Sequence, residues 1–261
     1  MRVVVTNDDG VASPGLHALA RCLVDDGHEV TVVAPSSDYS GYSAALGPLH
    51  VTGQIAFAPV RVAELPAMEL IAVEGPPALC VLAACLGGFG ASPELVVSGI
   101  NAGANTGRAV LHSGTVGAAF TANSFGVPGI AVSQAAGETH HWETAAVVAA
   151  GLVEWITAQR DVFTLNVNVP NVHQRAIAAH AAMLDAGGEV QTGVIEAGEG
   201  VLQLKFASSP PRPGTDTAIL AAGCIAITPL HAVRPAEVAV DHALVDIENA
   251  LRSSSEHERV A

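Results

Sequence analysis

Apolar and polar positions along the chain fall into blocks that switch between the spacing of a buried strand and that of a helix. Val3-Val4-Val5 reads as a buried strand, stopped by Asn7-Asp8-Asp9-Gly10, whose short polar side chains and glycine suit a turn. Ser13 then fits a helix N-cap with Pro14 at the first helical position. Leu16, Leu19, Ala20, Leu23 and Val24 recur at helical spacing until Gly27 closes the segment. Val30 to Ala34 supplies a second strand, and a strand–helix–strand unit of this length predicts parallel pairing. The pattern repeats with a helix from Pro77 to Leu86, a strand at Leu95 to Ser98, a helix after Ser113 and a strand at Ile130 to Ser133. A helix from Trp142 to Gln159 and a strand from Phe163 to Val169 follow.

This alternation predicts an α/β protein: a three-layer α/β/α sandwich, Rossmann-like, around a mostly parallel sheet. From Gly187 onward the texture changes to shorter β-like pieces, to joints such as Ser209-Pro210-Pro211-Arg212-Pro213-Gly214, and to a last helix from His242 to Leu251. Residues 1–261 are expected to form a single domain, with about 187–261 as a C-terminal β/helix extension used in oligomerisation.

Composition narrows the function classes. Half of the 261 residues are hydrophobic, enough for one substantial core. Met1-Arg2-Val3-Val4-Val5 runs straight into polar residues, unlike a signal peptide, and every apolar run is broken well short of a bilayer's thickness. A cytoplasmic protein without a membrane partner is expected. A net charge of -14 disfavours a nucleic-acid duplex, whose phosphates need clustered Lys and Arg. Between Arg61 and Arg160 only Arg108 is cationic, so an anion bound there would rely on backbone amides and a metal ion. Cys22, Cys80, Cys85 and Cys224 lack zinc-ligand spacing and read as buried reduced thiols, His140-His141 as a polar turn, and Trp142 and Trp155 as packing residues.

The chemistry should lie in the loops after the strands, since open α/β sheets bind ligands outside the carboxyl ends. Asp8 and Asp9 are adjacent carboxylates at a strand end. Two like charges about 5 Å apart at an effective dielectric near 20 repel by roughly 3 kcal/mol. A bound cation would remove that repulsion, and Mg²⁺ takes one or two carboxylates in this way; a solvated turn punctuated by Gly10 is the plainer alternative. The loop Ser98-Gly99-Ile100-Asn101-Ala102-Gly103-Ala104-Asn105-Thr106-Gly107 could bring its amides to an anion but matches neither a Walker loop nor a dinucleotide fingerprint. Ser113-Gly114-Thr115 precedes a helix, where free amides favour phosphate or where Ser113 or Thr115 simply caps the helix.

Together, in this order, these loops resemble the SurE family of survival proteins, which are metal-dependent nucleotidases. The resemblance is carried by Thr6 to Gly10, Ala34-Pro35 through Ser40-Gly41, Ser98 to Gly107, Ser113-Gly114-Thr115-Val116, Leu165 to Pro170, Thr215-Asp216 and Ile227 to Leu230. It implies one divalent metal ion per subunit, Mg²⁺ or Mn²⁺, held by Asp8, Asp9, Ser40 and Asn101. It implies phosphate contacts from Ser40, Gly41, Gly103, Asn105, Arg108, Ser113, Gly114 and Thr115, with Asp8, Asp9, Asn101, Ser113 and Thr115 as the catalytic set; an exposed loop charge is the plainer reading of Arg108. The implied substrate is a small phosphomonoester such as a nucleoside monophosphate, and the implied assembly a homodimer or homotetramer. The chain departs from the family pattern at Leu79, Ala109, His112 and Cys224, which bears on substrate choice. Asp8 or Asp9 would orient the attacking water, and His112 is either a proton donor to the leaving alkoxide or a structural histidine. Rival readings are weaker: the Asp-x-Asp-x-Gly-x-Asp-Asp arrangement of nucleoside hydrolases and the Asp-x-Asp spacing of haloacid-dehalogenase phosphatases are both absent. A phosphatase specialised for another small phosphorylated metabolite and a non-catalytic nucleotide-binding relative are the remaining alternatives.

Overall fold

A computed structural model of the chain describes residues 1–173, 176–187, 191–196, 201–207, 210–234 and 247. Strand β1 (Arg2–Thr6) is buried along Val3 to Thr6, as its unbroken apolar run requires of a strand covered on both faces. Helix α1 (Pro14–Asp25) starts with Pro14 as expected, though the Ser13 hydroxyl at its N-cap makes no capping bond. Leu16, Leu19 and Leu23 are fully buried, each contributing about 1.5–3 kcal/mol. Strand β2 (Glu29–Pro35) then pairs parallel with β1, Val3 opposite Val30.

The chain continues through α2 (Leu49–Thr52), β3 (Phe57–Val60), β4 (Leu70–Val73), α3 (Pro77–Cys85), β5 (Leu95–Ala102) and a 3₁₀ turn at Gly107–Leu111. It goes on through α4 (Gly114–Ser124), β6 (Gly129–Gln134), α5 (Trp142–Ala150), α6 (Val153–Thr157) and β7 (Thr164–Val169). Last come β8 (Ala179–Ala181), β9 (Gln191–Glu196), β10 (Leu202–Ala207), α7 (Asp216–Ala221) and β11 (Ile225–Leu230). Among the described residues the main sheet has nine strands in the order β3-β4-β2-β1-β5-β6-β7-β11-β8, parallel except where β3 meets β4 and β11 meets β7; β9 and β10 form a separate hairpin.

Strand alternation sorts the core into two layers. Val3, Val5, Val32, Val97 and Val132 face α1, α5 and α6, whereas Val4, Val33, Val73 and Val96 face α3 and α4. The expected three-layer sandwich is therefore what forms. The single helix expected from Trp142 to Gln159 is two, α5 and α6. Gly151, which favours leaving the helix, sits where the Leu152 amide tightens onto Ala149 O at 3.1 Å. Trp142 packs on the core as expected, while Trp155 is half exposed with an edge on Phe163. All four cysteines are free, and burial pushes the Cys85 thiol up to about 11. No helix among the described residues is long and apolar enough to cross a membrane. Apart from Ile247, the helix expected from His242 to Leu251 lies outside the described residues, as does nearly half of the proposed oligomerisation extension.

Candidate active site

Strand β1 is flanked by β2 on one side and β5 on the other, so the chain leaves it in one direction and returns on the other. A crevice opens at the carboxyl ends of such a pair. The turn after β1 is closed by Asn7, whose Nδ2 donates to Gly10 O at 3.1 Å and whose Oδ1 accepts the Gly10 amide at 3.2 Å. Gly10 has φ +99, and a Cβ there would stand 3.1 Å from the Ser37 backbone, so the turn needs glycine for both conformation and space. The Tyr39 amide donates to Asp8 O at 2.8 Å and the Val11 amide to Pro35 O at 2.7 Å. These bonds tie the loops after β1 and β2 together and bring Ser40 beside the two aspartates.

Asn101 reaches the same place because the β5–β6 register shifts between Ser98 and Asn101, a bulge that re-aims the strand end. Its Nδ2 donates to Gly103 O at 2.8 Å, which leaves Oδ1 as an open acceptor. Asp8, Asp9, Ser40 and Asn101 all line one cavity of about 1030 Å³, together with Gly41, Asn105, Arg108 and Ser113.

The two carboxylates are held differently. Asp8 is 3% exposed and its Oδ1 accepts the Thr115 hydroxyl at 2.5 Å. Gly114 lets the N-terminus of α4 come this close, since a Cβ there would lie 2.8 Å from Asp8 Oδ2. Burial raises the Asp8 carboxyl above its usual range despite that hydroxyl. Asp9 is pushed up to about 6, first by burial, then by the charges of Asp8 and Asp38; the Ala102 amide acts in the other direction. Its Oδ2 is buried without a donor. Two carboxylates short of positive partners, a free amide oxygen and a hydroxyl form an all-oxygen set, which fits a hard divalent cation.

The glycine loop behaves otherwise than expected. The Gly103 amide donates to Gln134 O at 2.9 Å, the Asn105 amide to Asn168 Oδ1 at 2.8 Å and the Gly107 amide to Asp216 Oδ2 at 2.8 Å. These amides hold the loop's shape and do not converge on an anion, because buried amides are satisfied within the fold. Asn166 and Asn168, on the same face of β7, also donate to Asn105 O at 2.8 and 3.1 Å, and Asn105 Nδ2 reaches Ser133 Oγ at 2.9 Å. Ser113 caps α4 by accepting the Val116 amide at 3.2 Å, the plainer of its two readings. Gly103, Gly114 and Thr115 stand behind the cavity wall, Thr115 acting on it through Asp8.

Of the four departures from the family pattern, Ala109 and His112 line the cavity, Leu79 packs into the core from α3, and Cys224 is half-buried elsewhere. Sequence reasoning missed Asp185 and Arg212, which complete the wall from beyond residue 180. Arg212 Nε donates to Asp185 Oδ1 at 3.4 Å, and the Gly187 amide, ahead of Arg212, holds the Asp185 carboxyl below the usual range. The Thr215-Asp216 pair was the one signal of this segment in the sequence.

A family model described as survival protein SurE matches residues 3–187. The chain belongs to the SurE family. Among curated relatives, this SurE-family chain is 38% identical to 5'-nucleotidase SurE of Nitrosococcus oceani over 88% of its length and 91% of that protein's. It is 38% identical to 5'-nucleotidase SurE of Cereibacter sphaeroides over 89% and 94% of the two chains. The crystal structure of the SurE protein from Aquifex aeolicus aligns with a TM-score of 0.77 at 26% identity, covering 95% of this chain and 100% of that one.

Proposed function

We propose that the chain is a divalent-metal-dependent nucleotidase that hydrolyses a nucleoside monophosphate to nucleoside and inorganic phosphate. The observation that carries this reading is Asp9: a half-buried carboxylate beside the buried Asp8, with one buried oxygen left without a protein donor. Its relatives' shared name, 5'-nucleotidase SurE, supports the substrate class.

Asp8, Asp9, Ser40 and Asn101 would hold the cation. When bound, Mg²⁺ or Mn²⁺ supplies the positive charge that lets both carboxylates ionise together and that polarises a phosphate oxygen. Thr115 fixes Asp8 through its hydroxyl, so that carboxylate meets the substrate already oriented. Asp9 orients the attacking water and accepts its proton. Asn105 and Gly41, both on the wall, contact the non-bridging phosphate oxygens. His112 lines the cavity and its ring makes no hydrogen bond to the described residues, so it is free to protonate the leaving alkoxide.

The test is phosphate release from nucleoside monophosphates with Mn²⁺. The Asp9→Asn enzyme, shown folded by circular dichroism, should lose about 10²–10⁴-fold in turnover, the usual contribution of a positioned base. Undiminished turnover would exclude this assignment.

A further inference from the structure

Beyond the carboxylates, the cavity wall carries two arginines from distant parts of the chain. Arg108 follows the glycine loop and Arg212 precedes α7. Arg212 is anchored. Its Nε donates to Asp185 Oδ1 at 3.4 Å, and Asp185, 7% exposed, also accepts the Gly187 amide at 3.2 Å. The Asp185 amide in turn donates to the buried Asp216 at 2.9 Å. A guanidinium bound only through Nε keeps both terminal nitrogens as donors, and these have no partner among the described residues. Arg108 forms no hydrogen bond or ion pair with any described residue, and its neighbour on the wall is Ala109, which offers no counter-charge.

The chain has 11 Lys and Arg against 25 Asp and Glu, so its general field repels anions. The cavity lining sets Arg108 and Arg212 against Asp8, Asp9 and Asp185, and of the two arginines only Arg212 has a carboxylate partner among the described residues. We propose that Arg108 and Arg212 form a second anion subsite, and that the favoured substrate is a phosphomonoester carrying a second phosphate, such as a nucleoside bisphosphate. The inference rests on the phosphatase reading for the first phosphate and adds a site for the second. Asp185 is its positioning residue: its 3.4 Å contact to Nε, on a side chain that is 62% exposed, leaves the terminal fork open to phosphate oxygens, which a guanidinium matches in a bidentate way.

The experiment compares adenosine 3',5'-bisphosphate, adenosine 5'-monophosphate and p-nitrophenyl phosphate in the wild-type protein and in Arg212→Met, which keeps the apolar stem. With Mn²⁺, the wild type should show the lowest KM for the bisphosphate. Arg212→Met should raise that KM about tenfold, the scale of one charge-assisted hydrogen bond, while kcat and the KM for p-nitrophenyl phosphate stay within about twofold. Arg212→Lys should recover part of the loss. Equal effects on all three substrates, or no wild-type preference for the bisphosphate, would overturn the subsite. Equilibrium binding with Ca²⁺ in place of Mn²⁺ separates the two readings. If no substrate is hydrolysed, the phosphatase assignment fails, yet bisphosphate binding weakened about tenfold by Arg212→Met would still support the subsite, and unchanged binding would end it.

Discussion

Asp9 and Asp216 are both aspartates set into the rim of this fold, and they are satisfied in opposite ways. Asp216 is fully buried, its two oxygens accepting the amides of Gly107, Asp185 and Thr217 at 2.8–2.9 Å. Asp9 has an oxygen without a donor and two other carboxylates close enough to raise its pKa. A carboxylate ringed by N–H groups is structural, tying the C-terminal segment to the glycine loop. One left short of positive partners is the candidate for chemistry, because a bound cation or substrate would complete it.

Removing the satisfied member should have the larger effect on stability. Asp216→Ala strands those three amides, so urea unfolding should show a loss of about 3–5 kcal/mol. A loss below about 1 kcal/mol would mean that the amides find water and that Asp216 is no brace.

Asp9 should respond in the opposite sense in metal-free protein. Its folded carboxyl titrates at about 6 against 3.8 for the ordinary group. The fold therefore binds the proton more tightly than the unfolded chain, and the stability this contributes is lost as pH rises from about 4 to 6. In EDTA at pH 7, Asp9→Asn should be more stable than wild type by about 1–2 kcal/mol after screening of a partly exposed group is allowed for. That advantage should shrink at pH 4.5. A pH-independent difference in urea midpoints would remove the electrostatic reason for a cation between Asp8 and Asp9.

The smallest effect tests Ser113, which lies at the cavity but serves the helix. Ser113→Ala should lower thermal stability by about 1 kcal/mol through the lost cap. A turnover loss much beyond that in proportion would make its hydroxyl a substrate contact as well.

Much of the site is legible in the chain because short-range chemistry writes it. Asp8-Asp9 with Gly10, the Asn101 loop and Ser113-Gly114-Thr115 each follow a strand whose apolar run is plain, and open sheets gather such loops at one edge. The loop amides mislead for the same local reason: glycines advertise freedom, but whether their N–H groups remain free depends on Gln134, Asn168 and Asp216, each supplied from elsewhere in the fold. The break between α5 and α6 is likewise settled by one tight turn inside a continuous apolar pattern.

By itself the sequence determined the alternating strands and helices, the parallel sheet and the family, since periodicity and motif order are properties of neighbouring residues. Only the tertiary structure decided which carboxylates are satisfied and which are not. It also decided that Asp185 and Arg212 join a cavity begun more than a hundred residues earlier. Burial and charge pairing depend on distance in space, and a chain folded through a crossed-over sheet sets that distance independently of separation along it.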